Sequence, residues 1–172
     1  MKETFLLLAD YNAKTNREML EVLEKLPAGR LTEKNGLFFE SIAGTLNHLL
    51  QADVLWLERF AANVPELAGV ASKLPAVKPK EPKGLAFADL PAFREARAAA
   101  DEAIEEAMRL FPEGKYGSTL VYRNIKGEEQ KKIAWQAVLH FFNHQTHHRG
   151  QVAAALDQLG VQNDFSNLIW KF

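Results

Sequence analysis

Residues 140–150 read HFFNHQTHHRG and contain His140, His144, His147 and His148, four of the five histidines in the chain. The fifth, His48, lies far upstream, so a site using all of them must be assembled by the fold. Imidazole changes charge near neutral pH and is a common nitrogen ligand for metals, so the cluster suggests either acid–base or metal chemistry. The chain has no cysteine. Disulfides, a cysteine nucleophile and thiolate metal sites are therefore excluded, and any metal must rest on nitrogen and oxygen donors.

The histidine-rich stretch lies in a segment, about residues 132–159, whose periodicity predicts a helix stopped by Gly160. With His144 at zero and about 100° per residue, the apolar stripe of Ile133, Ala137, Phe141, Val152 and Leu159 centres near about 50°. His148 then sits at about 40°, within the stripe, and His144 lies about 50° to one side. His140 and His147 fall roughly 90° and 110° away, at the margin. His144 and His148 are thus the inward pair, one helical turn apart, a spacing that lets two imidazoles share a cation. Hydrogen-bonded histidines at the core edge are the plainer reading. Two neutral imidazoles on an apolar face would be poorly satisfied, however, and a divalent ion resolves that. A third ligand must come from another helix. His48 is the remaining histidine, yet Ile42, Leu49 and Phe60 centre well away from it, and periodicity leaves its role open.

Three further helices must position these residues. Residues 3–26 place Phe5, Leu8, Tyr11, Thr15, Met19, Val22 and Leu26 on one face, ending at Pro27 and Gly29. Residues 41–63 carry Ile42, Leu46, Leu49, Asp53, Trp56 and Phe60 along one side, with Asp53 the polar exception. Residues 65–91 hold five of the seven prolines, including KPKEPKG, and predict a long non-helical connection. Residues 90–110 form the third helix. A short β-hairpin follows, with Thr119, Val121 and Ile125 as strand formers and turn residues at 124–127. The tail NDFSNLIWKF is apolar enough to dock on the body. The expected fold is all-α: a single four-helix-bundle domain over residues 1–172, with a long second-to-third connection and a hairpin before the last helix. A second stripe on the last helix, Trp135, Leu139, Phe142, Gly150 and Ala153, is either a homodimer interface or a surface covered by the hairpin and tail.

Composition narrows the partners. A formal charge of −1 gives no basic excess for a nucleic acid or an anionic membrane surface. The opening MKETFLLLAD is too short in apolar residues for a signal peptide, and no stretch is long enough to span a bilayer. A cytoplasmic location is expected.

The stretches YNAKTNREMLEVLEKLP, GLFFESIAGTLNHLLQADVLWLERF and HFFNHQTHHRGQVAAALDQLGV together resemble the DinB family (the DinB/YfiT-like metalloenzymes), with LVYRNIKGEE and NDFSNLIW also fitting. The resemblance implies a four-helix bundle, usually dimeric, with a divalent metal, zinc or nickel first among the candidates. Carried over, it makes His48, His144 and His148 the ligands. Some relatives are thiol transferases, among them bacillithiol transferases and mycothiol-dependent maleylpyruvate isomerase. Three imidazoles leave a metal open to water or substrate, as in catalytic sites. Two functions follow: a metal-dependent thiol S-transferase or hydrolase acting on a small molecule, or a non-catalytic stress-related module whose metal is structural. Around the triad, Asp53, Gln51, Gln151, His147, Tyr122 and Arg123 are candidates for supporting the ligands or contacting substrate.

Overall fold

The computed structural model describes residues 1–27, 29–77 and 84–171. Helix α1 spans Lys2–Leu23. It stops short of Leu26 because residues 24–26 continue as turns, with Leu26 N–H bonded to the Leu23 carbonyl before Pro27. Helix α2 spans Ile42–Asn63, capped by the Ser41 hydroxyl accepting from Gly44 N–H at 3.0 Å. The connection that follows is not wholly irregular, contrary to expectation. Pro65–Leu67 forms a 3₁₀ turn leading into a four-residue helix α3, Ala68–Ala71. Pro65 is suited to a first helical position, and burial of Leu67 and Val70 holds the turn in place. Most of KPKEPKG, residues 78–83, lies outside the described residues.

Helix α4, Leu90–Leu110, begins at Asp89, whose carboxylate accepts from Ala92 N–H at 2.9 Å. Strands β1, Thr119–Arg123, and β2, Glu129–Ile133, form an antiparallel hairpin with Thr119 opposite Ile133. Asn63 pins it to α2, donating to the Val121 carbonyl at 3.0 Å and accepting from Val121 N–H at 2.8 Å. Helix α5, Ala134–Gln158, starts two residues later than periodicity suggests, because Lys132 and Ile133 pair with Leu120 and Thr119. The tail folds back: Phe165 is buried and its carbonyl accepts from the Tyr11 hydroxyl at 2.7 Å.

The fold is mostly helical, with one small two-stranded sheet among the described residues. Each of α1 and α2 packs against both α4 and α5. No described helix is long and apolar enough to cross a membrane. The second stripe on α5 is divided. Phe142 is buried against Phe5, whereas Leu139 is 46% exposed and Gly150 faces open space.

The core has two apolar clusters. One gathers Phe60, Phe111 and Phe141 near the hairpin; the other gathers Leu23, Leu50 and Leu156 towards the opposite end. A buried polar network links all four long helices. Arg97 of α4 pairs with Asp53 of α2 at 2.5 Å and with Asp101 at 3.0 Å. Asn12 and Asn16 of α1 donate to Asp101 at 3.2 and 2.9 Å. From α5, Gln145 donates to Asp53 and Arg149 donates to Asn12. Burial pushes both carboxyls up, Asp101 to about 6, against the opposing pull of Arg97.

Removing one partner of a buried ion pair strands the other. Arg97→Ala should therefore destabilise the protein by about 3–5 kcal/mol in urea unfolding at pH 7. A loss below about 1 kcal/mol, typical of an exposed pair, would contradict this account of the core.

Candidate functional site

His48 comes from the second turn of α2, while His144 and His148 occupy successive turns of α5, and the α2–α5 packing brings them together. One ring nitrogen from each lies within 4.8 Å of the other two. His144 Nε2 is 3.2 Å from His48 Nε2 and 3.1 Å from His148 Nε2. Two nitrogens bound to one tetrahedral zinc at its usual bond length stand about 3.3 Å apart, so the spacing fits a shared ion.

Proton counting leads to the same conclusion. A neutral imidazole Nε2 has either one proton or one lone pair, so His144 Nε2 can hydrogen-bond only one of its two neighbours. A cation at their centre would accept all three lone pairs. Gln151 supports this arrangement: its Oε1 accepts from His148 Nδ1 at 2.7 Å, which leaves His148 Nε2 as the lone-pair nitrogen. Burial lowers the pKa of His48 to about 4 and of His144 to about 3, with nearby histidines adding to both shifts. Burial also lowers that of His148, against the raising effect of Gln151. The triad is neutral at pH 7 and ready to ligate.

Phe39, which periodicity did not single out, forms one wall. Its ring stacks on His48 at 3.8 Å between centroids and meets His148 edge-on at 5.7 Å. A tight turn holds it there. Glu40 adopts a left-handed conformation with φ 68°, and its carbonyl accepts from Asn35 N–H at 3.0 Å. Gly44 lets this turn lie against the first turn of α2, since a Cβ there would stand 2.0 Å from the Phe39 carbonyl oxygen. The available signal was a glycine just inside a capped helix, a position where close backbone approach is a common reason.

The model of the DinB family matches residues 1–171. The chain belongs to the DinB family. No curated protein and no solved structure matches it. In this DinB chain the three histidines expected from the family resemblance form a cluster compatible with metal binding.

The surrounding expectations divide. Gln151 contacts the triad, as described above. His147 is exposed, its ring 4.9 Å from that of His148. Asp53 makes no hydrogen bond to the histidines: Arg97 and Gln145 occupy its carboxylate inside the core. The Gln51 side chain makes no hydrogen bond to a described residue. Arg123 does not reach over the site either, because its guanidinium turns back to the Gly127 carbonyl at 2.6 Å. Tyr122 packs against Trp56 at 5.2 Å, and Trp56 in turn meets His140 at 5.4 Å.

Two outcomes follow. Gly44→Ala should cost about 1–3 kcal/mol through overpacking and should also weaken zinc binding as Phe39 leaves His48. Unchanged urea stability and zinc affinity would remove the turn from the site. The lowered histidine pKa values set the proton count. Three ordinary imidazoles would release about two protons on binding zinc at pH 6. With His48 and His144 already neutral there and His148 shifted in the same direction, this triad should release fewer than one, as read by calorimetry in buffers of different ionisation enthalpy.

Proposed function

We propose that this protein is a metal-dependent enzyme whose divalent ion, zinc or nickel, is held by Nε2 of His48, His144 and His148. The convergence of three neutral ring nitrogens, with no carboxylate completing the set among the described residues, carries the reading. Three protein ligands leave a position for an exogenous group. His48 and His144 are half-buried rather than enclosed, which supports access by a small molecule. When bound, the ion would lower the pKa of a water or thiol, or polarise a carbonyl. Thiol S-transfer and hydrolysis are the two reaction classes this serves.

The chain's own groups divide the remaining tasks. Gln151 holds the His148 tautomer and Phe39 orients His48. With Asp53 engaged by Arg97, His140 takes the proton-carrying role: it is exposed, and its ring centroid lies 6.0 Å from that of His144. The reading includes one four-helix bundle formed by α1, α2, α4 and α5 as a single domain, supported by their mutual packing and by the family match. It also includes a cytoplasmic homodimer joined through the uncovered Leu139 side of α5.

Elemental analysis of protein purified without a nickel column tests the site. Near one equivalent of metal is expected in the wild type, lost in His48→Ala and His144→Ala together with turnover on a thiol-transfer and ester panel. Metal content unchanged in both variants would overturn the triad. Stoichiometric metal that raises the melting temperature, with no turnover anywhere on the panel, would favour a structural ion.

A further inference from the structure

A cleft of about 280 Å³ lies beside the triad, lined by Trp56 of α2, Tyr122 and Lys132 of the hairpin, and Gln136, Ala137 and His140 of α5. Its walls are aromatic and fixed. The Trp56 and Tyr122 rings meet at 62°, and the Arg59 guanidinium lies over both, 4.8 and 4.5 Å from their centroids. Arg59 also donates to the Arg123 carbonyl at 3.0 Å, which ties the hairpin wall to α2. Neither Arg59 nor Lys132 forms an ion pair with a described residue. The cleft therefore combines flat apolar surfaces with one lysine in its lining, Lys132, while Arg59 lies over the two rings without lining it. His140 belongs both to the cleft and to the neighbourhood of the triad, since its ring meets those of Trp56 and His144.

We propose that this cleft binds the body of the substrate: a small molecule with a flat apolar portion and a carboxylate end. The volume suits a small molecule, and the rings would stack on its flat portion. Lys132 is a flexible point charge on the rim, suited to a single compact anion. A ligand seated here lies against His140, with its remaining end directed towards His144. This inference deepens the metal-site reading and rests on it for the position of the reacting end. Arg123, which the sequence suggested as a substrate contact, gives way to Lys132 as the group that meets the carboxylate.

The probes are 4-fluorocinnamate and its neutral amide, followed by ¹⁹F NMR, with metal content measured on the same samples. The acid should bind the wild type more tightly than the amide. Lys132→Gln should weaken the acid about fivefold while leaving the amide unchanged. Gln136→Trp, which fills the cleft from an exposed position on α5, should abolish binding of both. All samples should keep their metal. Equal affinity for acid and amide, wild-type binding by both variants, or no binding to the wild type would each overturn the proposal. Metal-free wild type that still shows the expected pattern would leave the cleft standing and overturn the metal reading instead.

Discussion

A carboxylate in the middle of a helical core constrains everything around it. Asp53 has no access to water, so its charge must be balanced and its oxygens hydrogen-bonded from within. Arg97 supplies the first and Gln145 contributes to the second. Those contacts set how α2, α4 and α5 sit against one another, because sliding either neighbour by a turn would break them. Gln145 adjoins His144 in sequence, and Asp53 lies one turn and a half beyond His48. The bond that settles the core therefore also aligns the two helices on which the histidines stand. Asp53 works for the site without touching it.

The network is composed with some economy of charge. Asp53 and Asp101 face Arg97 and Arg149, two anions against two cations, all buried. Asn12 bridges Asp101 to Arg149 and brings α1 into the arrangement. Such networks are weak evidence for high stability, since desolvation offsets much of the attraction. Their value here is geometric. Apolar side chains tolerate sliding and repacking, whereas a directional bond between charged groups holds one register.

Much of this could be read from sequence, and the exceptions have physical reasons. His144 and His148 were legible because α5 carries a clear apolar stripe against which their angles can be measured. His48 was not. Helix α2 is buried round much of its circumference, from Ile42 and Ala43 through Leu46, Asn47, Leu49 and Leu50, so no single stripe marks the α5 side. Family resemblance chose His48 where periodicity could not. Asp53 was legible as an anomaly, but its partner Arg97 sits among the ordinary charges of an Ala- and Glu-rich helix, and pattern does not reveal pairings across helices. Phe39 lies in a turn, outside any periodic element. The short helix α3 was missed because prolines dominate the composition of that connection, while Leu67 and Val70 have enough apolar surface to fold it locally.

The neutrality of the triad has a consequence for charge balance. A divalent ion held by three imidazoles receives no negative charge from its ligands, and Asp53, the buried carboxylate on the same helix as His48, is already matched by Arg97. The loaded centre would keep close to its full double positive charge in a half-shielded setting. Its open position would then favour an anion over a neutral group of the same size, whether hydroxide, thiolate or carboxylate. Selectivity at such a centre begins with the sign of the incoming ligand, before its shape is tested.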